Sequence, residues 1–115
     1  METQTNTKPL ISIEEFAKMD IRICEILSVE KIANKDKLYK FEINTGSEKR
    51  IIVSAIALQF TPEQLLNKKF PFILNLPPKK MGGYESNGMI MLASGADGKY
   101  YSFGDESIEV GAIVV

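Results

Sequence analysis

An all-β fold is what this chain predicts, and three observations predict it. Runs rich in β-branched residues recur at short intervals, the stretch "LYKFEIN" alternates apolar and polar residues at period two, and turn signals containing glycine separate the runs. Helical patterns are confined to two short stretches. With 115 residues, 44% hydrophobic and 25% charged, the chain has the length and balance of one domain able to bury a core. Residues 1–9, polar and ending at Pro9, are expected to form a disordered tail, leaving 10–115 as the folded domain.

The elements follow in order. Ser12 with Glu15 three positions later is a capping-box pattern, and Ile13, Phe16 and Ala17 give a short helix an apolar side that is expected to plug one end of the core. "IRICEILSVEKI" (Ile21–Ile32) reads as a long strand whose alternation changes phase near Cys24–Ile26, the mark of a bulge. In the next strand Tyr39, Phe41 and Ile43 share one face while Lys40, Glu42 and Asn44 form a wet one. Thr45-Gly46-Ser47 reads as a hairpin turn into a third strand containing the apolar run Ile51–Val53. Thr61-Pro62-Glu63-Gln64 combines an N-cap, a proline at the first helical position and a reach-back glutamine, so a helix of one or two turns is expected there. "KKFPFILNL" supplies a fourth strand, with Pro71 expected at an edge or at the strand start. Gly88–Gly95 and "YYSF" are expected to pair around Ala96-Asp97-Gly98, and "IEVGAIVV" closes the chain as a short strand or extended segment. A long bent first strand and a small helix between the third and fourth strands suggest a five-stranded barrel of the OB type, with short helices and added C-terminal strands.

Composition narrows the function. The chain has no histidine, which removes the commonest general base at neutral pH and the Ser-His and Cys-His nucleophile pairs. Cys24 is its only cysteine, so intrachain disulfides and multi-thiolate metal sites are excluded, and a buried packing role is expected for it. The carboxylate pairs Glu14-Glu15 and Asp105-Glu106 fall at a helix start and in a turn, where solvated surface roles are expected. No cofactor or catalytic constellation is anticipated. The polar N-terminus and the lack of a long apolar run argue against a secretory signal or a membrane span and for a cytoplasmic location.

Net charge is −1, yet charge is segregated: residues 1–30 carry −3, residues 31–89 carry +5 and residues 90–115 carry −3. Inside the basic middle lies "NLPPKKMGGYESNGM", from Asn75 to Met89. The proline pair holds backbone extended so that Lys79 and Lys80 project from a defined place, and Gly82-Gly83 permit a tight reversal. Asn75 and Ser86 offer hydrogen-bonding groups, and the Met89 thioether can lie against a flat base or ribose. Lysines attract phosphate while polar groups orient it. Taken singly each feature fits an ordinary turn; their joint spacing favours a binding surface.

The joint spacing resembles the signature of the bacterial tRNA-binding domain family, found in small free-standing tRNA-binding proteins and at the C-terminus of many methionyl-tRNA synthetases. "FAKMDIRICEI", "NKDKLYKFEINTGSEKR" and "IIVSAI" resemble the family's other motifs in the same order, from Ile13 to the chain end. The resemblance implies an OB barrel, commonly a homodimer, that binds tRNA by shape without catalysis, alone or beside the synthetase's catalytic part. Carried over by position, it implies contacts from Lys37, Arg50, Asn75, Lys79, Lys80, Ser86 and Met89. Shape recognition is reasonable because an A-form helix presents phosphates and 2′-hydroxyls rather than base edges. Ala55 departs from the pattern, standing where the family usually has glycine. A related branch of the fold resembles an export-related chaperone that binds unfolded polypeptide; the intact "SNGM" favours tRNA. Independently, the apolar end Ile113-Val114-Val115 suggests a self-complementary dimer seam.

Overall fold

The computed structural model describes residues 8–115. The tail expected over residues 1–9 therefore lies, apart from Lys8 and Pro9, outside the described residues. The elements are α1 (Ile13–Ala17), β1 (Ile21–Ile32), β2 (Lys35–Asn44), β3 (Lys49–Ser54), α2 (Pro62–Leu65), β4 (Lys69–Ile73), β5 (Lys79–Met81), β6 (Tyr84–Ser86), β7 (Met89–Ile90), β8 (Ala93–Ser94) and β9 (Tyr100–Tyr101).

A five-stranded antiparallel sheet in the order β3-β2-β1-β4-β7 forms the frame. Strand β1 runs through its centre and is long enough to pair β4 with its first half, Ile21–Glu25, and β2 with its second half, Glu25–Ile32. The change of partner falls where the sequence changes phase: Ile23 and Cys24 are both buried, and the ladder with β2 shifts register between Ile26 and Ser28. Such a bulge bends the strand and lets the sheet curl on itself.

Curling brings β3 against β6 and β7. The two edges are joined at one end of the seam by the Asn87 amide donating to the Ile51 carbonyl (3.0 Å) and the Val53 amide donating to Ser86 Oγ (2.9 Å). Inside, Phe41, Phe72, Ile26, Ile43, Ile52, Leu65 and Cys24 are fully buried. Each of the Phe, Ile and Leu side chains contributes about 1.5–3 kcal/mol by leaving water. Burial also pushes the Cys24 thiol up to about 11.

The plug falls to α2 rather than to α1. Leu65 of α2 is buried in the core, and the helix is capped by the Thr61 amide donating to Gln64 Oε1 at 2.8 Å. Helix α1 has the expected capping box, with Glu15 N donating to Ser12 Oγ and Ser12 N to Glu15 Oε1, both at 3.0 Å, but it buries no residue. Five residues are too few to lay an apolar face across a barrel mouth and still be held there by backbone alone.

Pro71 corrects a second expectation. It sits mid-strand in β4, between β1 and β7. Its partner on β1 is Ile23, whose backbone amide and carbonyl both bond the C-terminal segment, to Ala112 O (2.9 Å) and from Gly111 N (2.7 Å). Pro71 therefore faces away from β1, its carbonyl accepting from Met91 N at 2.9 Å, and its missing N–H costs no ladder bond to β1.

The C-terminal segment lies along the start of β1 through those bonds, a bridge between Arg22 and Ile113, and Val114 N donating to Ile21 O at 2.9 Å. Gly46 and Gly111 permit its close approach: a Cβ on Gly46 would stand 2.8 Å from the Gly111 Cα. Strands β8 and β9 pair Ala93 with Tyr101 and Ser94 with Tyr100 around the expected turn. The strand expected over Gly88–Gly95 is divided into β7 and β8, because Met91 turns its amide back to β4.

Candidate nucleic-acid interface

Within the segment from Asn75 to Met89, residues Lys79–Ser86 fold as a two-stranded ribbon, β5 against β6, with Lys79 opposite Ser86, Lys80 opposite Glu85 and Met81 opposite Tyr84. Strand neighbours point to opposite faces. Lys79, Met81, Tyr84 and Ser86 thus share the face turned to the barrel, and Lys80 and Glu85 the other.

The ribbon is pinned to the outer face of the sheet. Lys40, on the wet side of β2, sets its Nζ 4.5 Å from the centre of the Tyr84 ring and 3.2 Å from Glu30 Oε1 on β1. Its hydrogen bond to Glu30 raises the Lys40 pKa, so the cation stays charged beneath the ring. At the ribbon's tip Gly82 takes φ +58° and leaves room for Ile32 and Leu38, whose Cδ1 atoms would each stand 3.0 Å from a Cβ there. Neither Lys40 nor Tyr84 was marked as functional by the sequence; the alternation of β2 signalled only that Lys40 faces outward.

The seven residues singled out by sequence divide into two groups. Ser86 is 4% exposed, and its hydroxyl accepts from Val53 N while lying 3.3 Å and 3.4 Å from the carbonyls of Gly88 and Val53. Asn75 ties the end of α1 to the end of β4: its Oδ1 accepts from Asp20 N (2.9 Å) and its Nδ2 donates to Lys18 O (2.6 Å). Arg50 donates from Nη1 to the carbonyls of Leu74 (2.6 Å) and Asn87 (3.3 Å) and pairs through Nε with Glu48 at 2.6 Å. Arg50 and Ser86 hold one end of the β3–β7 seam shut, while Asn75 fixes the end of β4 beside it. Lys37, Lys79, Lys80 and Met89 are exposed. Lys79 and Met89 line one cavity with Ser86, whereas Lys37 stands apart near the chain after β3, its carbonyl accepting from Ala57 N at 3.0 Å.

That cavity, about 290 Å³, is walled by Leu76, Pro77, Lys79, Met81 and Met89. It shares Ser54, Ala55 and Met89 with a second cavity of about 370 Å³ that continues to Leu92 and Tyr100. Together they form a groove along the unclosed end of the seam. Gly88 makes the groove's inner turn, with φ +141° and a Cβ position only 2.9 Å from the Ile73 carbonyl. Ala55, the departure from the glycine pattern, is exposed on the groove wall, so its methyl faces any ligand rather than the core.

Among the described residues there is no cluster of three or more His, Cys, Asp or Glu side chains suited to a metal ion. Nor, among the described residues, is any helix long and apolar enough to cross a membrane.

Residues 21–112 match the family model described as "Putative tRNA binding domain". The chain belongs to that family. Relatives of this tRNA-binding domain include the methionine–tRNA ligase of Porphyromonas gingivalis W83, 49% identical over 88 residues, which are 76% of this chain and 13% of the ligase. The chain thus spans about an eighth of the length of the ligases it matches. Among solved structures, a methionyl-tRNA-synthetase-related protein from Pyrococcus horikoshii superposes with a TM-score of 0.89 at 42% identity, covering 94% of this chain and all of that one. The CsaA chaperone protein of Picrophilus torridus superposes with a TM-score of 0.81 at 26% identity, covering 92% of this chain and all of that one. The two structural likenesses, each spread over more than nine-tenths of the chain, agree with the OB-type barrel that the strand pattern predicts.

Proposed function

We propose that this chain binds tRNA without catalysing a reaction, reading the folded shape of the RNA, either free-standing or as the C-terminal or separate tRNA-binding component of a methionyl-tRNA synthetase. The observation that carries this reading is the clamped ribbon of a tRNA-binding domain: Lys79 and Lys80 exposed on β5, with exposed Met89 at the lip of the adjoining groove. Cations on a ribbon held by Lys40–Tyr84 and by the seam are presented without the entropy cost of ordering a loose loop. Lys37, Lys79, Lys80 and Met89 are the proposed contacts. Arg50 and Ser86 act on tRNA through the shape they give the seam, and Asn75 through the tie it makes between α1 and β4, because their polar groups are already engaged. The lack of any histidine supports a binding rather than a catalytic role.

The chaperone reading is the competitor, since a CsaA chaperone protein shares the fold. Fluorescence titrations of the same preparation with bulk tRNA and with a permanently unfolded polypeptide separate the two. Binding of tRNA at low salt, weakening as salt rises, supports the proposal; capture of the polypeptide with indifference to tRNA contradicts it.

Leu10, Ile11 and Ile13 are exposed, as are Ile113, Val114 and Val115 at the segment along the start of β1, and pairing of two chains over these surfaces would hide both sets, giving a homodimer with two basic ribbons for one tRNA. The synthetase's catalytic part is the proposed protein partner, and the cytoplasm the place where both are met.

A further inference from the structure

The seam between β3 and β7 is closed at one end only. Ser86 and Asn87 bridge it at Val53 and Ile51, and beyond them the groove opens between the end of β3 and β7. We propose that this open end is a nucleobase pocket, taking one unstacked base of the bound RNA over Ala55 and against Met89 and Tyr100, with Lys79 holding a neighbouring phosphate. The inference rests on the tRNA reading and adds to it a base-sized subsite that shape recognition alone does not require.

The lining suits such a ligand. A base needs apolar surface against its flat faces and polar groups at its edge. Met89 is 51% exposed and Tyr100 39% exposed, so both offer surface without leaving the core. Tyr100 is fixed by its backbone amide donating to Gln59 Oε1 at 2.7 Å, and Ser54 supplies a hydroxyl to the lining. The larger cavity, about 370 Å³, has room for a single base but not for a helix. Charge favours RNA: Lys79 stands in the adjoining cavity and belongs to the middle segment that carries +5. A polypeptide adding as a strand is disfavoured because the Ser86 hydroxyl already takes the Val53 amide, leaving only about the length from Ser54 to Ile56 to pair.

The test uses the full chain with Ala55→Phe, which fills the groove from an exposed position, and Tyr100→Ala, which removes one wall; circular dichroism and urea unfolding verify that each folds, and Tyr100→Phe serves as the conservative control. Both variants are expected to bind bulk tRNA about tenfold more weakly. The dependence of affinity on salt should stay as in the wild type, because no phosphate contact is lost. Affinity for a perfectly paired RNA duplex with blunt ends should be unchanged, and Tyr100→Phe should bind as the wild type. Folded variants that bind tRNA as well as the wild type overturn the pocket alone. So do variants that lose duplex and tRNA equally, or an Ala55→Phe protein that loses unfolded polypeptide while keeping tRNA. A wild type that ignores tRNA overturns the proposed function itself, a result read before any variant is compared.

Discussion

At Ser86 the hydroxyl is the acceptor for a buried backbone amide, that of Val53, and no water can replace it without opening the seam. Ser86→Ala is therefore expected to cost about 1–3 kcal/mol, the penalty of an unsatisfied buried donor, measured as a lower urea midpoint. Met89, three residues on, is half exposed, so Met89→Ala should leave stability within about 0.5 kcal/mol and weaken tRNA binding with little change in its salt dependence. The motif treats these two positions alike. What separates them is a contact across 33 residues of chain, which no local spacing records. Cys24 was legible, because a lone cysteine in an apolar strand has little else to do than pack. Its thiol pKa, raised by burial from 9.0 to about 11, means that unfolding releases a proton between those values, so this group's contribution to stability falls as pH rises through that window. Alkylation of Cys24 at pH 8 should be slow in the native protein and fast in urea, and equal rates in both would contradict its burial.

The β5–β6 ribbon is where local sequence and long-range packing meet. Gly82-Gly83 announced the reversal, and alternation along β5 places Lys79 toward the groove and Lys80 outward beside Glu85. The two lysines should then differ: Lys79→Ala is expected to weaken tRNA binding more than Lys80→Ala, and the double variant to flatten the salt slope by about one unit for each lysine that meets phosphate. Binding titrations across a salt series check both statements. The Lys40–Tyr84 contact was not legible, since it depends on the ribbon folding back over the outer face of β2. Tyr84→Ala should loosen the ribbon and speed its amide exchange while the urea midpoint moves by about 1 kcal/mol or less. The end helices show the opposite failure. A good capping box predicted α1, but capping says where a helix begins and nothing of what covers it; the buried plug is Leu65 in α2.

Across the whole molecule the feature with most consequence is uneven charge on a chain of net −1. It concentrates cations on the span that builds β2, β3 and the ribbon, while the acidic ends supply the C-terminal segment and α1. The succession of strands along the chain was legible because each is bounded by turn chemistry, and the bulge in β1 because it shifts the burial phase, whereas their order across the sheet was not. Nor were the closed and open ends of the seam, as they arise only when the sheet curls. Exposed apolar residues at both ends of the chain lead to an expectation of dimers in sedimentation at low micromolar concentration; particles of 12.9 kDa alone would contradict it. Whether a basic ribbon beside a half-closed barrel seam fits a folded tRNA is decided by one competition. Bulk tRNA is titrated at two salt concentrations against a single-stranded RNA and a DNA duplex of equal length. The tRNA is expected to bind more tightly than either at both concentrations, with affinity falling as salt rises. Equal affinity for all three, or none for tRNA, would contradict it.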